Sequence, residues 1–137
     1  MTGRIVCFGE LLMRLTAPGR EMLLQSPRLD VSFGGAEANV AVSLARFGWN
    51  AAIVSTLPDQ GIGDACRGEL RRHGIDTQGI QMRHGRMGLY FLTVGAMQRP
   101  SEIIYDRAGS AFAVTEADAY DWSALLNGAE WLHVGGI

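Results

Sequence analysis

Gly34-Gly35-Ala36-Glu37-Ala38-Asn39-Val40-Ala41-Val42-Ser43-Leu44-Ala45-Arg46-Phe47-Gly48 is the stretch that decides the fold class. A glycine pair, a run of good helix formers rich in alanine, and a closing glycine predict a turn, a helix over Ala36 to Phe47 and a left-handed stop at Gly48. Only Glu37, Asn39, Ser43 and Arg46 are polar, so the helix is expected to be largely buried. Wholly apolar runs flank it. Ile5-Val6-Cys7-Phe8, ending at Gly9, and Ala51-Ala52-Ile53-Val54-Ser55, closed by Pro58, read as strands buried on both faces, as in a parallel sheet. The expected class is α/β.

Farther out the pattern is less uniform. Leu11 to Thr16 and Asp30 to Phe33 are short, mixed segments separated by Pro18, Gly19 and Pro27, and read as strands of a more exposed sheet. Asp59 is placed to cap a helix that runs through Asp64 to Arg72 and ends at Gly74. Ile80 to Arg83, Gly88 to Val94 and Glu102 to Asp106, divided by His84-Gly85 and Gly95 to Pro100, suggest an antiparallel meander. Thr115-Glu116-Ala117-Asp118 has the form of a capping box before a short helix, and Trp131-Leu132-His133-Val134 reads as a third buried strand. The closing Gly135-Gly136-Ile137 stands where a ligand-proximal loop would begin, so the 137 residues are expected to be the N-terminal part of a longer protein.

Composition excludes several functions. All 12 basic residues are arginine, which removes a Walker-type phosphate loop and Schiff-base chemistry, both of which need lysine. A net charge of −2, with both signs scattered along the chain, offers no footprint for nucleic acid or an anionic membrane. No uninterrupted apolar run approaches the ~18 residues of a membrane span. Cys7 and Cys66 form neither a disulfide framework nor a zinc spacing, and read as reduced, buried thiols of a cytoplasmic protein. Gly61-Ile62-Gly63 is not a dinucleotide fingerprint, because Cys66 stands where the third glycine belongs.

Four segments in order resemble the ribokinase-like (pfkB) carbohydrate kinases. They are Gly9-Glu10; Gly34 to Ala41 with Leu44-Ala45-Arg46-Phe47-Gly48; Leu57-Pro58-Asp59 with Ile62-Gly63-Asp64 and His73-Gly74-Ile75-Asp76-Thr77; and Gly135-Gly136-Ile137. Within that family the 2-keto-3-deoxygluconate kinases are the most similar subgroup. The pointers are Gly88-Leu89-Tyr90-Phe91-Leu92, Gln98-Arg99-Pro100-Ser101 and Tyr105-Asp106-Arg107-Ala108-Gly109-Ser110-Ala111. Pro58 and Gln60 depart from the glycine and aspartate of many relatives. The resemblance implies a parallel sheet flanked by helices, incomplete here, with core segments at about 3–9, 34–77 and 115–137. It also implies a small β-sheet lid from about 11–33 and 78–110.

The matched residues suggest an acceptor site. Gly34 and Gly35 let the backbone approach a ligand, the helix entrance behind them, starting at Ala36, offers unpaired N–H groups, and the Asn39 amide suits vicinal hydroxyls. Without the resemblance the same residues are also an ordinary turn-to-helix junction. Strand alternation puts Tyr105 and Arg107 on one face, near Tyr90 on the neighbouring segment; a guanidinium beside phenols is a receptor for a carboxylate. The alternative is a cross-strand aromatic pair with a surface arginine. Glu10 corresponds to the acid that relatives, many with aspartate, turn toward acceptor hydroxyls, and Ile137 would close the pocket. His133 reads as a hydrogen-bonded core residue; His73 and His84 read as surface residues.

The implied reaction is transfer of a phosphoryl group from ATP, with Mg²⁺, to the terminal hydroxyl of 2-keto-3-deoxygluconate. In this family the base and nucleotide pocket lie in the C-terminal half, so the chain alone is expected to be inactive and to contain no catalytic residue or metal site. The expected partners are a small sugar acid and a second copy through the lid sheet. Competing readings are another sugar kinase of the same fold, such as a fructokinase, and a non-catalytic sugar-binding or assembly module.

Overall fold

A computed structural model describes residues 3–135 and divides them between two sheets. The first contains β1 (Arg4–Phe8), β4 (Asn50–Pro58), β5 (Asp76–Arg83) and β8 (Ala129–Val134), in the order β5-β4-β1-β8, all parallel. The second contains β2 (Leu12–Thr16), β3 (Asp30–Gly34), β6 (Gly88–Thr93) and β7 (Glu102–Asp106), in the order β3-β2-β6-β7. Two helices, α1 (Ala36–Arg46) and α2 (Gly61–Arg72), complete the larger layer. On the other face lie a 3₁₀ turn (Ala117–Ala119) and α3 (Trp122–Leu125).

The parallel sheet separates two apolar clusters. Ile5, Cys7, Ile53 and Leu57 pack with Ala38 and Ala41 of α1 and Cys66 and Leu70 of α2. Val6, Ala52 and Val54 point the other way, to Tyr120, Trp122 and Leu125. Strands buried on both faces cannot alternate apolar with polar side chains, which is why β1 and β4 read as continuous apolar runs. Both long helices end alike. Gly48 (φ 86°) and Gly74 (φ 80°) take the left-handed position, and the next N–H in each case, Trp49 to Leu44 and Ile75 to Leu70, closes the last turn.

Three expectations about the local elements are corrected. The segment at 80–83 does not open a meander: it belongs to β5, which pairs in parallel with β4, so β6 and β7 are the strands that segment 78–110 contributes to the second sheet. The β2–β6 contact is itself parallel; the antiparallel pairs are β2–β3 and β6–β7. Gln60, not Asp59, precedes α2, and its side chain makes no capping bond. The Thr115 capping box does not form. Thr115 Oγ1 instead donates to the Ala111 carbonyl (2.7 Å), and Asp121 caps α3 by accepting from Ala124 N–H (3.1 Å).

β8 has the expected pairing but not the expected burial. It is an edge strand, and Trp131, Leu132 and Val134 are 67%, 45% and 52% exposed, because no element among the described residues lies over them. His133 is half-buried rather than enclosed. Among the described residues, no helix is long and apolar enough to cross a membrane.

Candidate acceptor-binding cleft

An open cleft of about 900 Å³ lies between the carboxyl ends of β1 and β8, the entrance of α1 and one face of the second sheet. Gly35, Ala36 and Asn39 border it from α1, Tyr90, Tyr105 and Arg107 from the second sheet, and Glu10 from the segment linking the two sheets. Segments widely separated in sequence thus meet around one space, at the crevice beyond the carboxyl ends of parallel strands where ligands of α/β sheets bind. Gly34 does not line this cleft; it ends β3, in the same sheet as Tyr90, whose Oη would lie 3.0 Å from a Cβ placed on it. Gly34 and Asn39 border a smaller, mainly apolar cavity of about 200 Å³ reaching between α1 and α2. Ile137 and Gly136 lie outside the described residues; Gly135 lines the cleft.

The entrance of α1 needs glycine for a structural reason. Gly35 has φ 152° and ψ 142°, and a Cβ on it would fall 2.5 Å from the Glu10 carbonyl oxygen. Its own carbonyl accepts the first helical bond, from Asn39 N–H at 2.8 Å. The N–H groups of the first turn therefore face the cleft unpaired by the helix, and the exposed Asn39 amide stands one turn further on.

Opposite, Tyr90 and Tyr105 are directly paired across β6 and β7, with ring centroids 5.8 Å apart. The Arg107 guanidinium lies 4.9 Å from the centre of the Tyr105 ring, a cation–π arrangement, and its Nη1 is 3.9 Å from Glu10 Oε2. Glu10 Oε1 accepts a 2.6 Å bond from the buried Ser110 hydroxyl. Glu10 thus serves Arg107 and the turn after it, a use the sequence did not suggest. Tyr105 is 57% exposed and Arg107 about 38%, so ring and guanidinium remain accessible.

Sequence reasoning missed three contributors. Phe8 and Phe112, with ring centroids 5.5 Å apart, form the apolar floor. Glu37 is the third, buried although charged; an acid in an otherwise apolar helix was the available signal. Its charge has a measurable neighbour: burial, then the nearby Glu37 carboxylate, push the Cys7 thiol up to about 11. Burial alone pushes Cys66 up to about 12. Burial also raises the Tyr120 phenol, although its 2.6 Å contact with Thr56 and the charge of Arg83 oppose the shift.

Known proteins share this fold. A 2-dehydro-3-deoxygluconokinase from Thermotoga maritima superposes with a TM-score of 0.92 at 45% identity, over 96% of this chain and 40% of that one. A 2-dehydro-3-deoxygalactonokinase of Haloferax volcanii is 38% identical over 118 residues, 86% of this chain and 37% of its own length. A probable fructokinase-3 of Arabidopsis thaliana is 36% identical over 98% of this chain and 39% of its own length. The chain therefore spans about two-fifths of the length of these relatives. The sequence model of the pfkB family carbohydrate kinases matches residues 2–137, so the chain belongs to that family, with a ribokinase-like fold.

Proposed function

We propose that these residues form the acceptor-binding part of an ATP-dependent kinase that phosphorylates 2-keto-3-deoxygluconate to 2-keto-3-deoxy-6-phosphogluconate. The observation that carries the reading is Arg107, stacked on Tyr105 and facing the entrance of α1 across the cleft. The guanidinium receives the sugar carboxylate, the Tyr90 and Tyr105 hydroxyls bracket it, and the first-turn N–H groups and Asn39 bind hydroxyls on the far side. Ile137 closes the same pocket. Glu10 holds Arg107 rather than the sugar. The β3-β2-β6-β7 sheet acts as a lid that keeps water from competing for the phosphoryl group.

ATP supplies the phosphoryl group and Mg²⁺ neutralises its charge when both are bound. Among the described residues, no three His, Cys, Asp or Glu side chains gather as a metal site. The chain's own residues bind, orient and enclose the acceptor. The 137-residue chain alone accordingly releases no sugar-dependent ADP. Two free buried thiols suit a cytoplasmic protein, and the unpaired outer edges of the lid suit a homodimer through that sheet.

The test is a coupled assay of the full-length protein with 2-keto-3-deoxygluconate, its galactonate epimer, fructose and ribose. Preference for the two acids, lost in Arg107→Ala, is the expected result. The fructokinase relatives favour a neutral-sugar reading; under it fructose is preferred and Arg107→Ala leaves the acceptor order unchanged.

A further inference from the structure

Glu37 lies in the first turn of α1, is only 7% exposed, and borders the cleft. The register of β1 and β8 explains where its carboxylate goes. Cys7 pairs with His133 and Phe8 with Val134, so the next residues along, Gly9 and Gly135, stand side by side at the carboxyl ends of the two strands. Gly9 shares the face of Cys7, and Gly135 that of His133. Neither glycine has a positive φ that demands it. What demands them is space. A Cβ on Gly9 would overlap Glu37 Oε2, and a Cβ on Gly135 would overlap Glu37 Oε1.

We propose that Glu37 is a positioning residue of the acceptor site: its carboxylate fills the gap left by the two absent side chains and thereby fixes the first turn of α1 against the ends of β1 and β8. The proposal deepens the reading of the cleft as an acceptor site and rests on it. A terminal carboxylate normally swings aside from an added methyl group. This one has a strand end beside each oxygen and belongs to a residue only 7% exposed, which limits where it can swing. A negative charge in the first turn is also favourably placed against the helix dipole. Displacing that turn would move Gly35, Ala36 and Asn39 together. Positioning errors near 1 Å lower rates steeply.

The experiment uses the full-length protein and the variants Glu37→Ala, Glu37→Gln, Gly9→Ala and the double Gly9→Ala/Glu37→Ala. Glu37→Ala is expected to raise the acceptor KM roughly tenfold and leave the ATP KM within about twofold, a split that a general loss of stability does not produce. Glu37→Gln, which keeps the shape, restores most of the acceptor affinity. Without ligands, Gly9→Ala lowers the melting temperature by about 5 °C or prevents folding, and adding Glu37→Ala recovers at least half of that loss. An unchanged acceptor KM in Glu37→Ala, a Gln variant as weak as the Ala variant, or a double variant that is additive or fails to fold would each overturn the proposal. Should the wild-type protein phosphorylate no sugar, the acceptor reading fails and the site role with it. The melting cycle would still report separately on the packing.

Discussion

Arg107 sits between the ring of Tyr105 and the carboxylate of Glu10, and each restrains it differently. The ring holds the plane of the guanidinium without using its N–H donors; Glu10, at 3.9 Å, is beyond the range of a good charge-assisted hydrogen bond. The fork therefore has donors left for a second carboxylate. Arg107→Lys loses both the stacking and the bidentate geometry, so kcat/KM for the acid should fall almost as far as in Arg107→Ala, roughly 10- to 150-fold, at about 1.5–3 kcal/mol for a charged hydrogen bond. Steady-state kinetics with the acid and a neutral sugar in parallel would check this. The thiols give a second residue-scale prediction. With Cys7 pushed up to about 11 and Cys66 to about 12, neither is a thiolate at pH 8, and a disulfide reagent should label both only after denaturation. Above pH 9 the unfolded chain releases thiol protons that the folded chain retains. Stability contributed by these groups therefore falls as pH rises from about 9 toward 11 for Cys7 and 12 for Cys66, visible as a falling melting temperature.

Among the elements, α1 carries the most information per residue because its two ends use glycine for different reasons. Gly48 lies in open space with φ 86°, so Gly48→Ala meets only the left-handed torsion penalty, about 1 kcal/mol. Gly35→Ala adds a collision with the Glu10 backbone, which cannot turn aside as a flexible side chain can. Thermal melting should show the Gly35 variant several times more destabilised, with acceptor affinity lost as well, while the Gly48 variant keeps its KM. Interior β4 offers a change in the other direction. Among the described residues, Ser55 Oγ is buried without a hydrogen-bond partner, so Ser55→Ala should leave stability unchanged or raise it by about 1 kcal/mol in a denaturant titration.

On the scale of the whole molecule, the chain passes between the two sheets four times, from β1 to β2, from β3 through α1 to β4, from β5 to β6 and from β7 to β8, and the cleft lies where these passages bring the sheets together. The outer strands of the second sheet, β3 and β7, have unpaired edges among the described residues and expose Val31 (59%) and Ile104 (45%). If a second copy covers that sheet, Ile104→Glu should shift the full-length protein from dimer to monomer in sedimentation equilibrium, whereas Phe47→Glu, at the exposed end of α1, should not.

Local order was legible in the residues; partnership was not. The glycine pair, the alanine-rich helix with its Gly48 stop and the apolar runs of β1 and β4 follow from backbone torsion and the burial of side chains, which act over a few residues. The candidate residues Gly35, Asn39, Tyr90, Tyr105 and Arg107 stood out only through the family resemblance; by local chemistry alone they read as well as a turn-to-helix junction and a cross-strand aromatic pair beside a surface arginine. That β5 joins β4 rather than β6, that β8 stands at an edge with Trp131 exposed, and that Glu10 turns to Ser110 and Arg107 are outcomes of pairing between distant segments. A strand carries the same unpaired N–H and C=O groups whichever neighbour it meets, so only the packed chain selects among them. Glu37 shows the division most plainly: the sequence alone determined that an acid enters the helix, and the tertiary structure decided that two strand ends would leave room for it.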